Sequence, residues 1–550
     1  MKIFEEIIFL ISFFAMMLFV WMSLISTTTI SKAEKAFFTG ISGIPHLLIL
    51  LAIVAISVIP IVNKKLSAVE DKLVSDDKLY KRLYFVLTFF LLFISVLWIL
   101  LSRFGSTADS EEVQKAAAGL VSGYVDMYLP GEYMNRCQNQ IGLALVESFV
   151  FRIAGDAYSP LIFQLFNAVC VPLIITALSC FAKARTAKLS ILLMGILWFP
   201  LILTTSHIYG NVPGVTFALW SYVFLLKYME DKKIRNAFIS VVIIAIACLL
   251  KQNFIIFLIA YFLICLYSLL MEKKFSYIAV GIVAVIFSVF LGKGAVAVTE
   301  QITGMEMNGG MSNLSYIAMG MQESERAPGW FNFYNINSYY DGGYDTSAQN
   351  EIVKRDIKER LLLFKEHPLY ALDFYVQKLA SQWNEPTLQS IWGLRVHDEP
   401  LTGFLAFLVS PYGTDKVLPY FKFFQVLIYF SVLMFLIFEK KKDTGSLLLL
   451  TAFIGGVLFH FIWEAKAQYA LPYFVLLLPF AVRGLMLLRM YTAGIITGKK
   501  TLIEDKKRAK RITLCLIIFL LILLFFYLVN IQMGLIKDTQ LYYQYIVDSM

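Results

Sequence analysis

Four short stretches carry side chains able to move a proton or hold an anion, in a chain otherwise dominated by apolar residues. In "STADSEEVQKAAAGL", Asp109 comes shortly after an apolar run and is followed by Glu111 and Glu112. A carboxylate held at a helix start beside a membrane surface is placed to accept the proton of an acceptor hydroxyl, provided it lies within hydrogen-bond reach. The competing reading is that Asp109 or Ser110 only caps its helix and that the glutamates form a solvated face. In "GEYMNRCQNQIG", Arg136 is the single basic residue of 116–151 and stands among Glu132, Tyr133, Asn135, Asn139 and Gln140. Its paired N–H donors suit a phosphate, although a loop arginine can equally meet lipid headgroups. Lys251 in "LLKQNF" sits at a very short turn, where it either meets a lipid phosphate or snorkels. His207, Tyr209 and Asn211 of "SHIYGNVPG" line an adjoining turn bent by Gly and Pro.

The fourth stretch, "FHFIWEAKAQYALPYFVLLLPF", sets Glu464, Lys466, Gln468 and Tyr469 between two apolar runs. A charge at mid-bilayer costs roughly 2.5 kcal/mol or more, so this group is expected at a membrane boundary. Glu464 and Gln468 are four residues apart and share a face if the next helix starts early. The glutamate is expected to orient a sugar or a basic partner.

The elements that must position these groups are set by composition. Of 550 residues, 59% are hydrophobic and only 16% charged, against roughly 25% charged in soluble domains. The fold class is an all-α polytopic membrane protein. Spans are predicted at 6–24, 44–62, 83–102, 159–181, 189–205, 213–229, 237–250, 254–270, 277–293, 420–438, 444–462, 470–488 and 512–530. Met1–Val20 lacks the pattern of a cleaved signal, so the first run is expected to be retained. With a cytoplasmic N-terminus, Lys2 and the segments 63–82, 182–188, 227–235, 271–276, 439–443 and 483–511 fall inside and hold more than half of the 48 Lys and Arg. The net charge of +9 therefore records topology and implies no nucleic-acid partner. Cys137, Cys170, Cys180, Cys248, Cys265 and Cys515 form no CxxC, and the five histidines show no ligand spacing.

Two long external segments interrupt the rhythm of spans, at 103–158 and 294–419, and loops of that length are usually functional. Both are acidic, with seven Asp and Glu against three Lys and Arg in 104–157 and fifteen against nine in 294–419. The first is expected to form surface helices, including an interfacial one in "NQIGLALVESFVFRIAG". The second is expected to hold an amphipathic helix in "AQNEIVKRDIKERLLLF" and an interfacial helix in "HPLYALDFYVQKLASQW" with Trp383 at headgroup level. The expected division is 1–82, an N-terminal hairpin of spans and a cytoplasmic loop; 83–293, a transmembrane core with its catalytic loop; 294–419, a loop domain; and 420–550, the C-terminal spans.

Considered together, "STADSEEVQKAAAGL", "YMNRCQNQIGL", "IYGNVPG", "LLKQNF", "AMGMQESERAPGWFNFYN", "HPLYALDFYVQKLASQWNEP" and "WEAKAQYALPYFVLLLPFA" resemble the GT-C superfamily of integral membrane glycosyltransferases. The likeness covers most of 83–490 and is to the bacterial branch similar to protein O-mannosyltransferases and aminoarabinose transferases. The resemblance implies a sugar donor on polyprenyl phosphate, inversion at the anomeric centre, and Asp109 as the general base. The closing motif of that family commonly has arginine before tyrosine. Here Gln468 precedes Tyr469, which shifts phosphate contact to Arg136, Lys251 and Lys466. Glu111, Glu112, Tyr133, Gln140, His207, Tyr209, Glu464, Gln468 and Tyr469 are the expected substrate contacts. The two spans before residue 83 are extra relative to the usual start.

The partners expected on this reading are a polyprenyl-phosphate sugar, membrane lipids, and an extracytoplasmic glycan, lipid or protein acceptor. A divalent metal, Mg or Mn, is a further candidate for neutralising the phosphate. The expected location is the bacterial plasma membrane, with the site on its extracytoplasmic face. Alternatives are a polymerase or ligase of lipid-linked glycans and a flippase or exporter of polysaccharide precursors. A transporter should carry paired charges deep in several spans or broken helices in matching halves, whereas here the charges gather at span ends.

Overall fold

An apolar run that must leave no backbone N–H or C=O unpaired in lipid folds as helix, and this governs most of the chain. A computed structural model describes residues 2–102, 105–155, 159–307, 309–395, 401–439, 443–496 and 506–536. In chain order the elements are α1 Lys2–Ile25, β1 Thr27–Ile30, β2 Ala36–Thr39, α2 Ile44–Ser57, α3 Pro60–Ser75 and α4 Asp77–Ser102. Then come α5 Asp109–Ser122, α6 Tyr133–Arg136, α7 Ile141–Ala154, α8 Ser159–Cys180, α9 Arg185–Leu197, α10 Pro200–Leu203, α11 Asn211–Asp231, α12 Ile234–Leu250, α13 Ile255–Glu272 and α14 Phe275–Thr303. The large loop holds α15 Asn313–Gly320, α16 Tyr334–Asp341, α17 Thr346–Glu366, α18 Pro368–Trp383, α19 Trp392–Arg395 and α20 Gly403–Val409. The chain returns through α21 Pro411–Phe438, α22 Thr444–Ile462, α23 Ala467–Phe474, α24 Leu478–Ile496 and α25 Lys506–Leu528. The basic stretch 497–505 and the tail 537–550, parts of the expected inside segment and C-terminal division, lie outside the described residues.

Among the described residues nine helices are long and apolar enough to cross a membrane, or eleven if each of two bent pairs is one span. The protein is an all-α, multi-pass integral membrane protein, but not every expected span is a straight helix. The run at 44–62 is α2 followed by α3 at 80°. Proline disfavours helical geometry in the residue before it, and Ile59, before Pro60, is extended at ψ 132. The run at 189–205 bends by 55° between α9 and the turn begun by Pro200, because proline cannot donate to the ladder and crowds the preceding turn. The runs at 237–250 and 512–530 correspond to the short apolar helices Ile234–Leu250 and Ile517–Leu528.

One element is unanticipated and one expectation is corrected. A hairpin follows α1, with Thr27 opposite Thr39 and Ile30 opposite Ala36; "TTTI" and "AFFT" are β-branched and aromatic, as strands prefer. Trp383 is not at headgroup level. It is fully buried, stacked on Phe19 at 5.1 Å and edge-on to Phe453 at 5.7 Å, because α18 tucks its last turns into the bundle.

Alternation of helices sorts the polar segments to two ends. At one end, Arg185 pairs with Asp77 at 2.8 Å, Lys183 with Asp443 at 4.0 Å and Arg489 with Glu70 at 2.7 Å. These ties gather segments that the charge pattern assigns to one side. The other end carries the hairpin, α5 to α7, the large loop and the α22–α23 junction.

Candidate functional site

At that second end a cavity of about 570 Å³ is lined by groups from seven separated parts of the chain: the hairpin, α5, α6 and the turn after it, the turn before α11, the α12–α13 turn, the large loop and the α22–α23 junction. Asp109, Glu111, Glu112, Tyr133, Arg136, Gln140, Tyr209, Lys251, Glu464, Lys466 and Tyr469 all face it. Neither His207 nor Gln468 is among its lining residues.

Asp109 does not cap α5; it is the first helical residue. The cap position is Ala108, with φ 50 and no side-chain bond, while Ser110 Oγ donates back to the Thr107 carbonyl at 2.7 Å. Glu111 and Glu112 are engaged by Lys115 at 2.8 and 3.2 Å. The Asp109 carboxylate has no ion pair or hydrogen bond among the described residues and faces the cavity.

Arg136 ends the single turn of α6. Its backbone carbonyl accepts from Met311 N at 2.8 Å, which lays the start of the large loop over it, and its buried Nε has no partner. Lys251 is only 7% exposed. Its ammonium lies 4.0 Å from the centre of the Tyr209 ring and 5.1 Å from that of Tyr469, and makes no hydrogen bond. Aromatic faces attract a cation but leave its N–H groups free for an anion. Burial pushes the Lys251 amine down to about 7, with Asp109 and Glu464 opposing and Lys466 adding to the shift. Tyr209 is fixed by the Gln140 amide, which donates to its hydroxyl. The turn at Gly210 can close on Leu250 because glycine has no Cβ; one there would stand 2.2 Å from the Leu250 carbonyl.

Glu464 is 8% exposed. Burial pushes its carboxyl up to about 7; Lys466 and Lys251 pull it down, while Asp109 and Glu34 raise it further. It does not share a helical face with Gln468, since α23 begins only at Ala467 and Glu464 lies in the non-helical link before it. His207 sits beside the site, its ring 5.7 Å from that of Tyr209. Burial first, then the charges of Lys466 and Lys251, hold its imidazole down to about 3 and therefore neutral.

Lys466 differs most from expectation. Its ammonium is 2.5 Å from Glu34, in the turn of the hairpin. Glu34 also pairs with Arg326 and accepts from Gln389 Nε2 at 2.8 Å. Burial alone would raise the Glu34 carboxyl, but Lys466 and Arg326 hold it below its ordinary range. Sequence reasoning missed Glu34, Arg326, Tyr316 and Gln252. The available signal for Glu34 is a charge in a short loop between two apolar runs.

A second cavity, of about 1000 Å³, adjoins the first. It is an apolar groove between α13 and α14, walled by Ile255, Leu258, Ile259, Phe262, Ile282, Val285, Ile286 and Val289. Arg136, Asn139, Gln252, Ile255, Met311, Asn313 and Tyr316 line both spaces. The arrangement joins a polar chamber, holding an unpaired carboxylate and two unpaired cations, to an apolar channel along the helices. Among the described residues no three His, Cys, Asp or Glu side chains form a group able to hold a metal ion. The carboxylates of the chamber are divided among α5, the hairpin and the link before α23.

No curated protein matches the chain. A family model described as conserved hypothetical integral membrane protein matches residues 1–381. That span includes Glu34, Asp109, Arg136, Lys251 and Arg326 but not Glu464 or Lys466. With the match running over more than half its length, the chain belongs to the conserved hypothetical integral membrane protein family.

Proposed function

We propose that the protein is a GT-C-type membrane glycosyltransferase, moving a sugar from a polyprenyl-phosphate donor to a hydroxyl acceptor at the extracytoplasmic face of a bacterial plasma membrane. The observation that carries this reading is the junction of the two cavities. The unpaired carboxylate of Asp109 and the unpaired cations of Arg136 and Lys251 face one chamber, and Arg136 also lines the apolar groove. A lipid tail suits the groove, whose Ile259, Ile286 and Val289 are exposed along helices long enough to span. Its phosphate then meets Arg136 and Lys251, and its sugar enters the chamber.

Asp109 takes the acceptor proton as the hydroxyl oxygen attacks the anomeric carbon from the face opposite the phosphate. The bond from that carbon to the phosphate oxygen breaks, and the electron pair leaves with the lipid phosphate. Preorganised cations at developing charge lower such a barrier more than they would in water. The test is incubation of the purified protein with several polyprenyl-phosphate sugars, scoring release of polyprenyl phosphate. Acceptor-dependent release from one of them is the expected result; donors that bind but are never turned over would overturn the reading.

A further inference from the structure

We propose that Glu34 is a specificity-determining positioning residue that holds Lys466 and Arg326 out of the donor-phosphate site, so that the chamber accepts a lipid monophosphate in preference to a lipid diphosphate. The proposal rests on the transferase reading and extends it to the N-terminal hairpin, which that reading does not use.

The geometry is specific. Four cations line the chamber: Arg136, Lys251, Arg326 and Lys466. Two of them are bound by one carboxylate, Glu34, itself 5% exposed and fixed by Gln389. The remaining two have no ion pair among the described residues; Lys251 lines the chamber, and Arg136 lies where chamber and groove meet. Two cations balance a departing lipid phosphate; a diphosphate brings further charge that only Arg326 and Lys466 could meet.

The backbone supports a role for this side chain. Glu34 has φ 59, a left-handed conformation in which glycine or asparagine is expected and other residues are uncommon. The turn is held by Ser31 and Lys35, whose N–H and carbonyl groups bond across it at 2.9 Å. The hairpin is pinned on both flanks, by Ala36 N to the Arg326 carbonyl at 2.8 Å and by Thr28 N to the Asn384 carbonyl at 3.1 Å. Its tip therefore enters the chamber in one position.

The experiment measures binding of farnesyl phosphate and farnesyl diphosphate to the full-length protein in nanodiscs. The wild-type protein should bind the monophosphate at least as tightly as the diphosphate. Glu34→Gln, which keeps size and releases both cations, should gain at least tenfold for the diphosphate while changing less than threefold for the monophosphate. Lys466→Gln leaves Glu34 less compensated and should shift the preference the other way, at least threefold further towards the monophosphate. A purely structural Glu34 would lower thermal stability without moving the ratio, and that result overturns the proposal. So does a Lys466→Gln protein that loses both ligands equally, which also decides the matter if Glu34→Gln does not fold. Failure of the wild-type protein to bind either lipid would count against the transferase reading itself, whereas monophosphate binding without these shifts would remove the Glu34 proposal alone.

Discussion

At the scale of single residues, some of the chamber's charged groups, Asp109, Arg136 and Lys251 among them, have no ion-pair partner among the described residues. Asp109 has no partner among the described residues, so Asp109→Asn removes a proton acceptor without breaking an ion pair. Loss of a general base costs roughly 10²–10⁴ in rate. Sugar transfer should fall by that factor while donor binding and the unfolding midpoint stay near wild type, and Glu111→Gln should be milder because Lys115 already occupies that carboxylate. Normal turnover by Asp109→Asn would hand the role to another carboxylate. Lys251 makes a second prediction, about pH. Its amine titrates at about 7, so it is charged below that pH and neutral above it. Donor affinity should therefore fall as pH rises through about 7, and the ionisation of Glu464 in the same range adds a repelling charge. Lys251→Arg, charged throughout, should remove the part of the fall due to the lysine, and Glu464→Gln the remainder. A flat binding profile in the wild-type protein would show that neither group meets the phosphate.

At the scale of elements, the site depends on how helices end. The last carbonyls of α22 lack helical partners, as at any helix C-terminus, and Glu464 follows immediately. Lys378, buried in α18, donates to the Phe461 carbonyl at 3.0 Å and to that of Gly320. Its loss leaves buried carbonyls unpaired at roughly 1–3 kcal/mol. Lys378→Met should lower the unfolding midpoint of the solubilised protein and weaken transfer together, since the link carrying Glu464 and Lys466 loses its anchor. An unchanged midpoint would mean that the link is held by its neighbours alone, such as the bond from Ala465 N to the Gly329 carbonyl at 2.8 Å.

At the scale of the whole molecule, all the chamber's elements stand at one end of the bundle and the basic segments at the other. Positive segments are retained on the cytoplasmic side, so the chamber should face outward. In a parent lacking native cysteines, single cysteines at Glu111 and Tyr340 should react with an impermeant thiol reagent in intact cells. One at Lys183, at the opposite end and 89% exposed, should react only after lysis. The reverse pattern would invert the topology and leave a lipid-linked donor on the wrong side.

Much of this was legible in the sequence because lipid is an unforgiving solvent. Long apolar runs had to become helices, and simple alternation of spans put Asp109, Arg136, Lys251 and Glu464 at the same end. What alternation cannot express is where a helix breaks or which distant segments touch. The 80° turn at Ile59–Pro60 was hidden inside an apolar run, although the proline marked it. Trp383 reads as an interfacial anchor because tryptophan favours the headgroup level, yet packing against Phe19 and Phe453 draws it into the core. Lys466 reads as a phosphate ligand because Gln468 stands where the resembled family has arginine. Its true partner, Glu34, lies more than four hundred residues earlier in the chain. The sequence by itself determined that this is a helical membrane protein with chemistry-bearing groups at one surface, since burial of backbone and charge in lipid admits little else. Only the tertiary structure decided which of those charges remain free, because an ion pair across such a separation depends on a hairpin's position and not on any local pattern.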